Sequence, residues 1–339
     1  MWSNMKSKTY DDISSIFRGI IIKDGGEGSG NFGHEGRPGK VGGSGKSAFM
    51  KYLDSDVLKN PEKHSVGKYI ENGKLSNNRK KLHNEAIKKY FKGVETTENP
   101  VIYFNGGGSA SGKTTAISKL FPEVPSASNK RGIVVDPDEL KKDIPEYNEL
   151  KSKNDPTAAG FAHEESSALA KKLFSKAVNS KEYDVLMDGT LAGKTEKAKK
   201  KILDAKKSGS PVVGNFATVD IDEALKRNYL RYLRTGRFPS VDTVIKNHKE
   251  VSVNYPELAG LFNKSALIDN NGKEPVVIAK SGEDGKLKIL DKEKYNKFIN
   301  KTKESDDEIK QRFKKMIPVY EKEYLKNNPG AKLKSRPKI

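Results

Sequence analysis

The segment that most constrains the fold of this chain is a short glycine-rich loop, Gly107–Thr114, with the sequence GGSASGKT. It matches the pattern G-x-x-x-x-G-K-[ST] at every fixed position. The apolar segment VIYFN precedes it and the helix-forming segment TAISKLF follows it, which is the strand, loop and helix order that this pattern requires. We therefore predict a loop that wraps around the phosphates of ATP or GTP.

The chemistry of such a loop follows from its residue types. Glycines allow successive backbone N–H groups to close around phosphate oxygens, and the following helix adds the positive end of its dipole. We expect Lys113 to reach the terminal phosphates and the Thr114 hydroxyl to take one coordination position of Mg²⁺. The expected nucleotide-binding residues are Gly107, Gly108, Ser109, Ala110, Ser111, Gly112, Lys113, Thr114 and Thr115.

Short apolar segments recur along the chain and alternate with amphipathic helical segments. After VIYFN they are GIVVD from Gly132, YDVLMDGT from Tyr183, PVVGNFATVD from Pro211 and SALIDNNG from Ser265. This alternation predicts an α/β fold with a parallel sheet and helices on both faces. We assign this domain to residues 96–300.

The flanking segments have a different composition. Residues 1–47 contain a long Gly- and Ser-rich stretch and are predicted to form a flexible arm. Residues 48–95 have apolar residues spaced by three and four, which predicts a small helical region that packs against the domain and restrains it. Residues 301–339 predict a charged helix or helix pair followed by a frayed basic tail.

Composition excludes several classes of site. The chain has no cysteine, so disulfides, Cys-ligated zinc and thiol nucleophiles are excluded, and its five histidines lack a paired metal-ligand spacing. Its 64 Lys and Arg against 45 Asp and Glu give a formal charge of +19. Because both signs are interspersed, we interpret this charge first as a lysine-rich composition, with a nucleic-acid partner as the alternative. The run Ile20–Ile22 is too short for a membrane span, and we expect no membrane partner.

Two strand ends carry carboxylates where ligands bind in parallel sheets. Asp138 follows GIVVD and is our candidate for the base that orients an acceptor hydroxyl and collects its proton, because Asp136 serves equally well as a helix cap. The alternative is that Asp136 and Asp138 serve only as caps of the following helix. Asp188 closes VLMD like a Walker B acid and would either hold Mg²⁺ or contact the acceptor.

The helical segment EALKRNYLRYLRTGRFPS carries a stripe of arginines. Arg227, Arg231 and Arg234 lie at i, i+4 and i+7, and Arg237 follows. Guanidinium groups that close over a γ-phosphate neutralise the charge that spreads onto its oxygens, whereas the alternative is a solvated basic face. Glu164, in the polar segment HEESS, is a candidate contact for the acceptor.

The ordered set GGGSASGKTT, VVDPDELKKDIPEY, HEESSALAKKL, VLMDGT and R…R…GRFP resembles the zeta toxin family of P-loop kinases over roughly residues 98–280. The resemblance implies a P-loop kinase-like fold and ATP- and Mg²⁺-dependent phosphorylation of a hydroxyl on a small metabolite. UDP-N-acetylglucosamine is the best-known acceptor of the family, and NAD is an acceptor of relatives. The resemblance further implies toxicity, an antitoxin partner that blocks the nucleotide site, and the cytoplasm of a bacterial host.

The resemblance also implies roles for individual residues. They are the P-loop pair Lys113 and Thr114, the base Asp138, and the phosphate-clamping arginines Arg227 and Arg237. Arg231 is the alternative to Arg227. Asp188 stands where some members have Glu, and Thr190 resembles a substrate-binding threonine.

Two other functions remain open from the sequence. The segment GNFGHEGRPGKVGGSG looks like a glycine-rich segment of tailed-phage head proteins. Together with the positive charge, it favours a phage-associated module that binds nucleotide or nucleic acid, a prophage origin, and phage head proteins as partners. The other alternative keeps the kinase but makes the acceptor a polynucleotide 5′-hydroxyl.

Overall fold

The structure is a computed structural model and describes residues 49–153, 155 and 157–337. The arm predicted for residues 1–47 lies outside the described residues. The strands are β1 Ile70–Glu71, β2 Lys74–Leu75, β3 Ile102–Gly107, β4 Gly132–Val135, β5 Asp184–Asp188, β6 Val212–Thr218, β7 Lys264–Asp269, β8 Val276–Ser281 and β9 Leu287–Ile289. The first helices are α1 Ser55–Lys59, α2 Asn77–Lys89, α3 Lys113–Leu120, α4 Pro137–Leu140, α5 Pro145–Ser152, α6 Ala158–Phe161 and α7 His163–Ser180. The remaining helices are α8 Thr195–Lys206, α9 Ile221–Thr235, α10 Val241–Leu258, α11 Lys292–Ile299 and α12 Asp306–Asn327.

Strands β3 to β9 form one sheet in the order β4-β5-β3-β6-β7-β8-β9. The first five strands in this order run parallel, whereas β8 and β9 are antiparallel additions at one edge. The five parallel strands coincide with the five apolar segments, so the predicted α/β fold is confirmed. The sequence analysis did not identify β8 and β9.

Successive side chains of a strand point to opposite faces of the sheet, and helices cover both faces. Phe104 of β3 packs on one face against Phe174 of α7 and Phe262. The adjacent Tyr103 belongs to a cluster on the other face, with Ile117 and Phe121 from the segment of α3. All six residues of β3 are buried, and the sheet therefore holds the end of this strand rigidly.

Residues 49–95 form α1, α2 and a small β1–β2 hairpin in addition to 3₁₀ turns, where the sequence predicted helix alone. The hairpin turns at Asn72 and Gly73, whose φ angles of 49° and 69° suit an Asn-Gly turn. This signal was present in the sequence as ENGK. Within the described residues, no helix is long and apolar enough to span a membrane.

At the other end of the chain, one 22-residue helix, α12, packs against α9. The expectation of a frayed tail is wrong for residues 331–337. Arg336 forms an ion pair with Glu321 at 2.7 Å, and the Tyr232 hydroxyl donates to the Ser335 carbonyl at 2.6 Å. The tail is held because these two side chains of α12 and α9 offer it polar partners.

Candidate active site

The glycine-rich loop connects β3 to α3 and has a backbone that few sequences can adopt. Gly107, Ala110 and Gly112 all have positive φ angles, of 139°, 61° and 71°. A Cβ atom on Gly107 would lie 2.4 Å from the carbonyl oxygen of Ala217, so only glycine fits there. Helix α3 begins at Lys113, and its first N–H groups therefore face the cradle that the loop forms.

Helix α10 holds this loop from behind. The Nε2 atom of His248 donates to the carbonyl oxygen of Ser109 at 2.9 Å, and Asn247 donates to the Ser109 hydroxyl at 3.0 Å. His248 is 1% exposed, and burial lowers its pKa to about 3, so the ring is neutral. Gly108 lies against this ring, since a Cβ there would lie 2.2 Å from it. Sequence spacing gave no signal for this contact.

Arg227 and Asn270 hold the loop at a second point, the Ser111 carbonyl. Arg227 donates to the carbonyl oxygens of Ser111, at 3.3 Å, and of Asn270, at 2.9 Å. The Asn270 side chain donates to the same Ser111 carbonyl at 2.9 Å, and Glu223 fixes Arg227 at 2.7 Å. Arg227 is therefore placed at the nucleotide loop, and Asn270 is a further residue of this site that the sequence did not single out.

Lys113 and Asp188 face each other across the carboxyl edge of the sheet. The Lys113 ammonium lies 3.7 Å from Oδ1 of Asp188. Burial raises the pKa of Asp188, and the charge of Lys113 opposes this. Two side-chain oxygens here have no hydrogen-bond partner within the described part of the chain. They are Oδ1 of Asp188 and Oδ1 of the buried Asn105, which is paired with Asp188 on the adjacent strand. Buried polar atoms without partners at a cleft indicate that a ligand completes them.

The residues around this cleft fit a magnesium ion. Thr114 is exposed on the first turn of α3, and Asp188 offers an oxygen without a hydrogen-bond partner. The described residues contain no group of three or more acidic or His side chains that could hold a metal by themselves. Mg²⁺ at phosphate sites commonly uses one or two protein ligands, phosphates and water, so this donor set is sufficient.

Asp138 lies at the start of α4, where Asp136 caps the helix by accepting a hydrogen bond from the Asp138 N–H at 2.8 Å. Lys141 donates to one carboxylate oxygen of Asp138 at 2.8 Å, and Arg237 is bonded to the other. Burial raises the pKa of Asp138, but these two cations outweigh burial and hold the pKa at about 2. Asp138 is therefore a carboxylate at neutral pH, and its charge helps raise the pKa of the half-buried Asp188.

The arginines of the predicted stripe separate into two groups. Arg227 contacts the nucleotide loop, whereas Arg237 lies at Asp138, and the charge of Asp138 also acts on Arg231. Arg231 is half-buried, and its Nε atom has no partner among the described residues. Burial lowers the pKa of Arg231, and the charge of Arg237 adds to this. Arg234 is exposed.

Two adjoining cavities begin at this edge of the sheet. The first, of about 520 Å³, is lined by Asp188 and Thr190, and the Thr190 carbonyl accepts from the Gly107 N–H at 2.9 Å. The second, of about 530 Å³, includes Glu164. Pro137, Met187, Lys197 and Lys201 line both cavities. Thr190 therefore lies close to the nucleotide loop, and Glu164 lies in the second cavity.

Comparison with known proteins identifies the family and the fold of this chain. The family model for zeta toxins, a family of P-loop kinase-like phosphotransferases, matches residues 84–283, which is more than half of the chain. No curated protein matches the chain.

Solved structures with a similar fold include two complexes of AvrRxo1-ORF1 and AvrRxo1-ORF2. The native complex is 20% identical, with a TM-score of 0.53 over 66% of this chain and 73% of that one. The complex with ATP is 18% identical, with a TM-score of 0.52 over 77% and 79%.

A solved structure from the PezAT toxin–antitoxin system of Streptococcus pneumoniae is also similar. Its sequence is 17% identical, with a TM-score of 0.50 over 73% of this chain and 95% of that one. At these identities the structural matches establish the fold, and the family model establishes the relationship. The chain belongs to the zeta toxin family.

Proposed function

We propose that this protein transfers the γ-phosphoryl group of ATP to a hydroxyl group of a small metabolite and thereby acts as a toxin. The observation that carries the proposal is the convergence of Lys113, Asp188 and the Asp138–Arg237 pair at the mouth of the glycine-rich loop. Phosphoryl transfer needs little more from a protein than positioning and charge neutralisation, and these groups supply both.

The roles of the residues follow from their positions. The loop N–H groups and Lys113 bind the β- and γ-phosphates, and Arg227 steadies the loop from its side. Arg237 leaves Asp138 for the γ-phosphate, which frees the carboxylate to accept a hydrogen bond from the acceptor hydroxyl. The bond between the γ-phosphorus and its bridging oxygen breaks, ADP leaves, and the acceptor oxygen bonds to phosphorus while its proton passes to Asp138.

Thr114 and Asp188 would hold Mg²⁺, which when bound neutralises charge on the β- and γ-phosphates. Asp138 does not need a raised pKa for its role. In a loose transition state the hydroxyl loses its proton late, so a carboxylate with a low pKa is sufficient.

UDP-N-acetylglucosamine is the first candidate acceptor, with NAD as the next. The family relationship and the two adjoining cavities of about 520 and 530 Å³ support a nucleotide-sized acceptor. The similar AvrRxo1 complex that contains ATP supports ATP as donor, and the PezAT system supports an antitoxin as partner.

The test is to incubate purified protein with labelled ATP and UDP-N-acetylglucosamine, NAD, a 5′-hydroxyl oligonucleotide or a bacterial metabolite extract, followed by mass spectrometry. We expect one metabolite to gain a single phosphate with the wild type and with the exposed control Lys288→Ala. Lys113→Ala should lower the rate by at least about 100-fold. Transfer only to the oligonucleotide would favour a polynucleotide kinase, and equal ADP production by wild type and Lys113→Ala would overturn the proposal.

A further inference from the structure

A short loop, residues 236–240, carries Arg237 between α9 and α10, and we call it the Arg237 loop. The tail, residues 331–337, lies against the end of α9 beside this loop. Both α12 and the tail follow residue 283, where the family match ends. We propose that the tail positions Arg237 for phosphoryl transfer, because it holds the end of α9 and the Arg237 loop in place.

The ion pair of Arg237 does not by itself fix this side chain. Arg237 is 58% exposed and its partner Asp138 is 43% exposed, and exposed ion pairs contribute little to holding a side chain in place. The inference rests on the proposed function, in which Arg237 gives up this pair for the γ-phosphate. The position of Arg237 during transfer therefore depends on the loop that carries it.

The Arg237 loop folds back onto the last turns of α9. The ring of Phe238, the next residue, lies 5.4 Å from the ring of Tyr232. The buried Asn228 donates to the Pro239 carbonyl at 2.9 Å. Side chains of α9 therefore set the position of this loop on both sides of Phe238.

The tail contacts the same tyrosine. The Tyr232 hydroxyl donates to the Ser335 carbonyl at 2.6 Å, and the Lys334 ammonium lies 5.9 Å from the centre of the Tyr232 ring. The same ammonium lies beside Gly236, where a Cβ atom would be 3.4 Å from it. Tyr232 thus connects the tail with the loop that carries the arginine.

A carboxylate between α12 and α9 anchors the tail. Arg336 donates to both oxygens of Glu321, at 2.9 and 2.7 Å. Glu321 is 8% exposed, and it also accepts from the Tyr229 hydroxyl of α9 at 2.8 Å. The hydrogen bonds from Arg336 lower the pKa of Glu321, so the pair stays ionised at neutral pH. A two-pronged arginine–carboxylate pair fixes orientation as well as distance, and the tail therefore has a defined position on α9.

The experiment uses the full-length double variant Tyr232→Phe/Arg336→Gln, which removes both hydrogen-bonded links of the tail and keeps the ring that packs on Phe238. The rate of phosphate transfer from ATP to the acceptor that mass spectrometry identifies is compared with that of the wild type. We expect kcat to fall at least about tenfold, because a displaced catalytic group loses its orientation, and AMP-PNP affinity to stay within about twofold. The control Tyr324→Phe/Lys332→Gln removes a hydroxyl and a positive charge elsewhere in α12 and the tail and should behave like the wild type.

A thermodynamic cycle separates positioning from a merely structural role. Arg237→Met alone should lower kcat at least about 100-fold. If the tail acts through Arg237, adding Tyr232→Phe/Arg336→Gln to Arg237→Met should lower kcat by no more than about a further twofold, since coupled residues are not additive.

Hydrogen exchange examines the same contact without catalysis. The amides of residues 236–238 should exchange several-fold faster in Tyr232→Phe/Arg336→Gln than in the wild type or the control. Unchanged exchange, unchanged kcat, or an equal loss of kcat with and without Arg237 would overturn the inference. Absence of transfer by the wild type would instead overturn the proposed function, and the exchange measurement would still decide whether the tail holds the loop.

Discussion

The nucleotide loop and the proposed acceptor cavity are neighbours, but polar groups of the loop are bonded to protein side chains, whereas two lysines of the cavity form no ion pair. In the loop, the carbonyls of Ser109 and Ser111 are both bonded to side chains that reach them from α10, α9 and the end of β7. In the cavity, Lys197 and Lys201 form no ion pair among the described residues. The loop is therefore shaped before ligand arrives, whereas the lysines of the cavity are exposed to solvent.

This difference indicates how one fold separates a constant task from a variable one. Binding a triphosphate requires a fixed row of N–H groups, and a helix and two side chains behind the loop supply that rigidity. Recognition of an acceptor requires a surface that side chains from several elements can alter. Here α7, α8 and the N-terminal segment line the cavity that we propose for the acceptor.

The largest effect is expected on stability, from the buried ion pairs that join the N-terminal segment to the domain. Arg79 is 3% exposed and pairs with both Glu165 and Glu146. Arg79→Met should lower the free energy of unfolding by about 3–5 kcal/mol, because Glu165 would remain buried without its main partner. Urea denaturation measures this, with the nearby exposed Lys81→Met as control. A loss equal to that of the control would contradict the anchoring role.

The same network makes stability depend on pH. Burial raises the pKa of Glu165, but His83 and Arg79 outweigh it and lower the pKa to about 2. Because the unfolded chain has the ordinary value near 4.5, this part of the stability is present above pH 4.5 and is lost as pH falls from there towards 2. Acid denaturation of Glu165→Gln should lack this component, and an unchanged acid profile would contradict the assignment.

Two residues of α10 allow the two regions to be disturbed separately. His248 supports the nucleotide loop, whereas Asn254 donates to the carbonyls of Leu191 and Gly193 in the loop that follows Asp188. His248→Asn should raise the ATP KM about tenfold, and Asn254→Ala should raise the acceptor KM by a similar factor, each from the loss of one or two hydrogen bonds. If both variants raise the same KM, the two regions are not independent.

A smaller effect is expected from pH on the nucleotide loop. Because burial lowers the pKa of His248 to about 3, its ring stays neutral between pH 5 and pH 8. The affinity for AMP-PNP should therefore show no change in this pH range that comes from titration of His248. A step near pH 6.5 that disappears in His248→Asn would show that the ring titrates and that the loop is less rigid than described.

The sequence predicted the parts of the molecule that depend on neighbours in the chain. The loop follows from fixed spacing within eight residues, and the five parallel strands follow from apolar runs, so both were identified. The β1–β2 hairpin had a local signal, Asn72-Gly73, but the apolar spacing around it resembled that of a helix. The β8 strand was missed although its apolar run of four residues is no shorter than that of β4.

The remaining parts of the site depend on contacts between distant segments. His248 and Ser109 are 139 positions apart, and Arg237 and Asp138 are 99 apart. No spacing rule connects such pairs. The division of the arginine stripe between the loop and Asp138, and the contact of Lys171 with Tyr52, appear only once the fold brings the segments together.

The central claim is that one carboxylate beside a phosphate-binding loop accepts the proton of an alcohol, and Asp138→Asn tests it most directly. Two quantities should be measured on the same protein sample, the affinity for Mg²⁺ and AMP-PNP and the rate of phosphate transfer from ATP to the identified acceptor. We expect affinity within about twofold of the wild type and a transfer rate at least about 100-fold lower. Wild-type transfer by Asp138→Asn would contradict the account.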